Sequence, residues 1–108
     1  MISKDILKSI ADFFNGDTEE EFFKYKSGLQ LVDFFNTHFG YEDSYGQGFQ
    51  SRWYFTVDKL VDLINKKKID KFFSLILNKK YLMLEKQISE VNAVILSKKI
   101  HQNINNFL

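Results

Sequence analysis

Residues 27–40 read SGLQLVDFFNTHFG and contain the signals that begin, continue and end a helix. Ser27 and Gln30 have the spacing of a capping box, in which each side chain accepts a hydrogen bond from a backbone N–H at the helix start. Apolar residues follow at helical spacing, and Gly40 stands where a left-handed residue ends many helices. These signals predict a capped amphipathic helix between Ser27 and Gly40.

The N-terminal part of the chain contains two more helical patterns. Residues 4–14 place Ile, Leu and Phe on one stripe, with Ser3 as the predicted N-cap and Gly16 just past the end. Thr18 and Glu21 also have capping-box spacing. They predict a second, short helix of only a few residues.

Two helices are predicted after the glycine-rich segment. Residues 52–55 are predicted to be extended, and Thr56 is the predicted N-cap of a helix over residues 57–66. Residues 69–78 form the next pattern, with Ile and Phe at helical spacing.

The last pattern predicts the longest helix. Its apolar stripe starts with Tyr81, Leu84, Ile88, Val91 and Ile95. Ile104, Phe107 and Leu108 continue the stripe to the last residue, with no later segment to cover them. Either this tail folds back on the domain, or residues 1–108 are the N-terminal part of a longer chain, and we favour the second interpretation.

Composition limits the class of protein. The chain has 108 residues, of which 44% are hydrophobic and 17% aromatic, with no Cys and no Pro. These values predict one globular domain and exclude disulfide frameworks, zinc-thiolate sites and thiol chemistry. The sequence therefore predicts a mainly α fold: a single compact domain, residues 1–108, of about five helices, with a glycine-rich loop or irregular hairpin at residues 40–54.

The sequence contains neither a signal peptide nor a run of about 20 apolar residues that could span a membrane. A cytoplasmic location without a membrane partner is therefore expected. Charge is uneven, since residues 1–57 carry five Lys/Arg against nine Asp/Glu, and residues 58–108 carry ten against five. The basic half is either a solvated surface or a patch for phosphate or an acidic partner.

Side chains that carry out catalysis or bind metals are sparse. His38 and His101 are the only histidines, and no glycine-flanked Ser or metal-ligand spacing accompanies them. Gly46 and Gly48 follow no strand pattern and precede no Lys, so they fail both nucleotide-binding templates. The sequence predicts no catalytic residue, no metal and no cofactor, and a helix-end or packing role for His38.

The segment 40–54 is the strongest functional signal from the residues alone. Long loops in small domains are often functional, and aromatic rings beside an Arg suit stacking or protein contact. The candidate contact residues are Arg52, Trp53, Tyr54, Tyr41, Tyr45 and Asp43. The alternative is structural: the rings fill the core, while Arg52 pairs with Asp43 or caps a helix end.

Residues 34–54 read FFNTHFGYEDSYGQGFQSRWY. An apolar helix that ends in Phe-Asn, followed by a glycine-rich loop that closes in Gly-Phe-x-Ser-Arg, resembles the N-terminal domain of AbiJ-type abortive-infection proteins of bacteria. The resemblance extends over residues 29–97, and Gln50 stands where that family has Pro. It implies a role in phage defence as a sensor, adaptor or assembly module, with toxicity delivered by a separate C-terminal effector domain.

The favoured function is thus a non-enzymatic sensor, adaptor or protein-interaction domain of a phage-defence protein. Its partner would be another protein or its own C-terminal effector domain, and no oligomeric state is predicted. The alternative is a nucleic-acid-binding module of helix-turn-helix or winged-helix type. Its phosphate contacts would be Lys66, Lys67, Lys68, Lys79 and Lys80. A single Arg counts against this alternative, because Arg is the usual reader of guanine.

Overall fold

The computed structural model describes residues 3–19 and 22–107, the last without its side chain. All regular structure in these residues is helical, which confirms the predicted mainly α fold. The described helices are α1 Lys4–Asn15, α2 Gly28–Phe39, α3 Arg52–Asn65, α4 Ile69–Ile76, α5 Lys79–Lys86 and α6 Glu90–Phe107. Between α2 and α3 the chain forms a loop without strand pairing.

The predicted caps of α1 and α2 are confirmed. The Ser3 hydroxyl accepts a hydrogen bond from the backbone of Ile6 at 3.3 Å, and Ser27 and Gln30 form both hydrogen bonds of the capping box. Gly16 and Gly40 end the two helices with φ of 82° and 73°. Local sequence therefore sets the ends of these two helices.

The start of α3 differs from the prediction. The helix begins at Arg52, so residues 52–55 are helical rather than extended, and Thr56 lies inside the helix rather than at its N-cap. Thr56 is buried, and its hydroxyl donates to Oδ1 of Asn15 at 2.9 Å. Aromatic residues favour strands on average, but packing of the Phe55 ring into the core outweighs that preference.

The short helix predicted after Thr18 is absent from residues 22–27, and Glu20 and Glu21 lie outside the described residues. Residues 22–26 instead run along the end of α1. The Phe22 and Phe23 rings both pack against Phe13 with centroids 5.4 Å apart. These tertiary contacts replace the local hydrogen bonds of a helical turn.

The core is built from phenylalanine rings of α1, α2 and α4. Phe14 meets Phe34 at 4.8 Å and Phe72 at 5.3 Å between ring centroids. Phe35 stacks on Phe72 with an interplanar angle of 4°. Edge-to-face and offset contacts of this kind add to the hydrophobic effect of burying each ring.

The predicted last helix is divided in two. Gln87 has a left-handed backbone with φ of 55°, and this residue separates α5 from α6. A helical stripe keeps its direction only while the helix is continuous. Across the break the predicted stripe does not form a buried face, because Leu84, Val91 and Ile95 are 82%, 69% and 48% exposed.

The core positions of the two last helices are Leu82, Ala93, Ile100 and Ile104. Ile104 is only 5% exposed, so this part of the tail folds back on the domain. The expectation of a longer chain therefore draws no support from Ile104. Leu108 and the side chain of residue 107 lie outside what the structure describes.

Membrane crossing requires a long apolar helix. Within residues 3–19 and 22–107, no helix combines the length and the apolar character that this requires.

Two glycines provide a test of the packing at the end of α1. A Cβ on Gly16 would lie 2.5 Å from backbone atoms of Tyr25, whereas a Cβ on Gly40 would meet no atom within 4 Å. Both residues have positive φ, so both substitutions carry the cost of left-handed backbone, about 1–2 kcal/mol. We expect Gly16→Ala to lower the free energy of unfolding by about 3 kcal/mol or more, because a backbone clash is added.

The measurement is urea unfolding of both variants beside the wild type. Gly40→Ala is the matched control and should lose only the backbone cost. Equal losses in the two variants would contradict the close approach of residues 24–26 to α1.

Candidate functional site

Arg52 lies inside a network of hydrogen bonds at the first residue of α3. Its Nε donates to the carbonyl of Lys26 at 2.7 Å, and its Nη2 donates to the carbonyl of Asn15 at 3.0 Å. Its Nη1 reaches both carboxylate oxygens of Asp17, at 3.0 and 3.1 Å. The guanidinium also lies 4.0 Å from the ring centroid of Tyr25. We call these contacts the Arg52 network.

The Arg52 network corresponds to the structural alternative in which Arg52 caps a helix end, since Asn15 is the last residue of α1. The predicted pairing of Arg52 with Asp43 is wrong. Asp43 pairs instead with Lys59, whose Nζ lies 2.5 Å from its carboxylate. The Asn36 side chain also holds the Asp43 backbone, with hydrogen bonds of 2.9 and 3.1 Å to its C=O and N–H.

Tyr41 lies in the same loop as Asp43, between α2 and α3. Its hydroxyl donates to the Asp62 carboxylate, and the Nζ of Lys59 lies 4.4 Å from its ring centroid. Burial, together with the neighbouring Asp62 carboxylate, raises the pKa of Tyr41. The residue is thus a neutral hydrogen-bond donor that ties the loop to α3.

Two of the other three predicted contact residues, Tyr45 and Tyr54, are more exposed, whereas Trp53 packs in part against the core. Tyr45 is 52% exposed and packs against Phe49 at 4.8 Å, and Tyr54 is 46% exposed. Lys8 lies 4.9 Å from the ring of Trp53, which also contacts Tyr54. Within the described residues, no ring contact joins Tyr45 to Trp53 or Tyr54. The candidate residues therefore do not form one cluster.

The five lysines of the nucleic-acid alternative differ in their surroundings. Lys66 pairs with Asp62 at 2.8 Å and Lys79 with Glu90 at 2.5 Å. Lys67, Lys68 and Lys80 are exposed. The winged-helix form of the alternative requires a β-hairpin, which residues 3–19 and 22–107 do not contain.

A groove of about 340 Å³ separates α2 from α5. On its wall, the Lys26 ammonium pairs with Glu85 at 2.6 Å, and it also donates to the carbonyls of Phe14 and Lys24 at 3.0 and 3.3 Å. Burial lowers the pKa of Lys26, while the Glu85 carboxylate opposes that shift. An ammonium has three N–H donors, and all three are used by these acceptors. Because Glu85 belongs to α5, its ion pair with Lys26 joins residues 24–26 to that helix.

Two further titratable groups line the same groove. His38 packs on Phe34 with ring centroids 4.8 Å apart, and burial followed by the charge of Lys71 lowers its pKa. Burial followed by the Glu85 charge raises the pKa of Tyr81. Both side chains are therefore neutral near pH 7, with polar atoms beside an aromatic wall. The predicted packing role of His38 agrees with this ring contact.

Sequence reasoning missed the groove because its ion pair joins residues 59 positions apart. Two signals were present in the sequence, a Lys beside a run of aromatic residues and a Glu in a predicted helix. Neither signal indicates a partner without the tertiary fold.

A second feature that sequence reasoning missed is an apolar surface on α6. Val91, Val94 and Ile95 are 69%, 38% and 48% exposed, and their i, i+3, i+4 spacing places them on one side of the helix. We call these three residues the α6 apolar face. Leu84 of α5 adds a fourth exposed aliphatic side chain, 82% exposed.

A groove of about 380 Å³ borders this face. Its lining is formed by Phe22, Lys86, Ile88, Asn92, Ile95, Leu96 and Lys99. Ile95 belongs to both the groove and the α6 apolar face, so the two surfaces are continuous. Four of its lining residues are apolar, and both of its charged lining residues are lysines.

No group of three or more His, Cys, Asp or Glu side chains that could hold a metal ion occurs in the described part of the chain. Comparison with protein-family models, with curated proteins and with solved structures finds no match to this chain. The interpretation of function therefore depends on the surfaces just described.

The Arg52 network predicts a stability effect. Arg52→Lys retains the charge but loses the planar set of donors that reaches three separate acceptors. We expect it to lower the free energy of unfolding by about 2 kcal/mol, and Arg52→Ala by more. Chemical unfolding monitored by circular dichroism measures both values.

Lys66→Ala is the matched control for the Arg52 variants. It removes an exposed i, i+4 ion pair, which contributes less than about 0.5 kcal/mol. If Arg52→Ala is as mild as this control, the network does not stabilise the fold.

His38 predicts a pH effect of defined sign. Because its pKa is lower in the folded state, the unfolded chain binds more protons as the pH falls, and the folded state loses stability. We expect the free energy of unfolding to decrease between about pH 7 and pH 5.5, where histidine titrates. His38→Gln should flatten this slope in urea unfolding at a series of pH values.

His101 is exposed and serves as the control. Flattening as large in His101→Gln as in His38→Gln would mean that the burial of His38 does not cause the effect. An unchanged slope in His38→Gln would mean that another group causes the pH dependence.

Proposed function

We propose that this chain is a non-enzymatic protein-interaction domain whose docking surface is the α6 apolar face with its bordering groove. The observation that carries the proposal is the exposure of Val91, Val94 and Ile95 on one side of a helix. Single exposed apolar residues are common, whereas contiguous groups rimmed by polar residues are typical of interaction sites. The occupant is a helical segment of another protein.

Energetics support a peptide-sized contact. Covering an aliphatic side chain that is about half exposed contributes on the order of 1 kcal/mol. Three such side chains and the apolar residues of the groove together suit a complex of moderate affinity, in which apolar anchors fill a groove.

The resemblance to AbiJ-type proteins gives this interaction a biological setting. In that setting the domain is the sensor or adaptor of a phage-defence protein, and the partner is a phage protein or a host protein. The Phe-Asn helix end, the glycine-rich loop and Ser51-Arg52 support this part of the proposal. Its test is phage plating on cells that express the natural gene, with and without the Val91→Ser/Ile95→Ser change.

The helix-turn-helix alternative rests on the exposed Lys67, Lys68 and Lys80. A fluorescence anisotropy titration with labelled duplex DNA, single-stranded DNA and RNA tests it. Binding that weakens steeply with salt would support that alternative, since phosphate contacts release counterions.

The docking surface itself is tested by peptide display. A library of displayed peptides is selected on the immobilised wild-type chain, and the enriched peptides are then measured against Val91→Ser/Ile95→Ser. We expect the wild type to bind them with a Kd on the order of micromolar and the double variant to bind at least about tenfold more weakly.

Leu29→Ser is the matched control, because Leu29 is 52% exposed on α2 and carries the same chemistry at another site. It should retain full binding. Peptides that bind the double variant as tightly as the wild type would place the docking surface elsewhere, and circular dichroism of each variant checks that α6 remains folded.

A further inference from the structure

We infer that the partner segment is an acidic amphipathic helix, with its apolar residues on the α6 apolar face and its carboxylates on the lysines at the C-terminal end of that face. This inference rests on the proposed function, because it names the chemistry of the occupant of the same surface. The shape of the surface, the backbone of α6 and the charge at one end of the face each indicate part of the chemistry of the partner.

The shape favours a helix. The surface runs along α6 from Val91 to Lys99, nine residues that span about 12 Å of helix. Its apolar members recur at helical spacing on α6, and the groove beside them continues to Ile88 and Phe22. A second helix laid along such a surface places one apolar side chain per turn into the groove.

The backbone excludes strand addition at this surface. A partner that binds by strand addition needs an unpaired strand edge. The α6 apolar face lies on a helix whose backbone groups bond within the helix, so recognition here must use side chains.

Positive charge lies at the C-terminal end of the α6 apolar face. Lys99 lines the groove, and Lys98 follows Ile95 on the exposed side of α6, where both lysines are exposed. Glu90 is the only acidic residue of α6, and its carboxylate pairs with Lys79 at 2.5 Å. The end of the face beyond Ile95 is therefore positively charged. A complementary partner has Glu or Asp at that end.

A second copy of the chain fits this surface less well. In a parallel pair of faces the two lysine-bearing ends would meet. In an antiparallel pair each lysine-bearing end would meet the Glu90 end of the other copy, where Glu90 already has Lys79 as its partner. Like charges at an interface oppose association. An acidic helix, in contrast, pairs apolar with apolar and negative with positive.

The test uses three synthetic helical peptides of about 18 residues, long enough for about five turns. All are labelled with fluorescein. The first has Leu at i, i+3, i+4 and i+7 with Glu on both flanks. The second has the same Leu pattern with Lys in place of Glu. The third has the composition of the first in scrambled order. Anisotropy with the full chain gives Kd at low and high salt.

We expect the acidic peptide to bind at least about tenfold more tightly than the lysine peptide, with a preference that weakens in high salt. Lys98→Glu/Lys99→Glu should reverse the order of the two peptides. Both changed residues are exposed, so the variant keeps the core intact. Val91→Ser/Ile95→Ser should lose both peptides, and Leu29→Ser should change neither.

Other outcomes overturn the inference in distinguishable ways. If the lysine peptide binds equally or better and the Val91→Ser/Ile95→Ser variant loses it, the surface docks helices but the acidic chemistry is wrong. If light scattering shows self-association of the wild type, and only Val91→Ser/Ile95→Ser abolishes it, a second copy of the chain is the occupant. Binding to vesicles of anionic lipid without peptide binding would identify a membrane surface. If no ordered peptide exceeds the scrambled one and no other occupant is found, the docking surface fails with the inference.

Discussion

The guanidinium of Arg52 is the interaction on which the arrangement of the helices most depends. It joins the carbonyl that ends α1, the carboxylate of Asp17 and the carbonyl of Lys26 to the first turn of α3. Without these donors, the carbonyl groups of Asn15 and Lys26 would lose part of their hydrogen bonding in a partly buried place. Because Lys26 also pairs with Glu85, these contacts hold residues 24–26 against α5. The only arginine of the chain thus organises contacts among α1, α3 and α5.

The surface proposed for docking is a consequence of where the last helices break. The core accepts Leu82 from α5 and Ala93, Ile100 and Ile104 from α6. Met83 and Leu96 pack against this core in part, whereas Leu84 and the α6 apolar face stay exposed. The left-handed residue Gln87 sets the angle between the helices and leaves the α6 apolar face on the outside. Exposure of this kind has an energetic cost in water, and a partner that covers it removes that cost.

Different parts of the fold were predictable to different degrees. The caps at Ser3, Ser27 and Gly40 are local devices, and their residues identify them without any knowledge of the fold. The predicted start of α3 was wrong. Thr56 does not cap a helix, because its hydroxyl bonds to Asn15, which is distant along the chain. Among candidate contact residues, Tyr45 and Tyr54 are exposed as contact would require, whereas Arg52 is bound within the protein. The docking surface was not predictable, because an apolar stripe looks the same whether it faces the core or water.

The sequence alone determined the mainly α class, the ends of α1 and α2, and the absence of thiol chemistry. Composition, periodicity and caps act within a few residues or over the whole chain, so they can be read without a structure. The tertiary structure alone decided which apolar residues are buried, which carboxylate Arg52 binds, and which ion pair joins residues 24–26 to α5. Each of these depends on groups far apart in sequence, and only the packed helices determine which of them come within bonding distance.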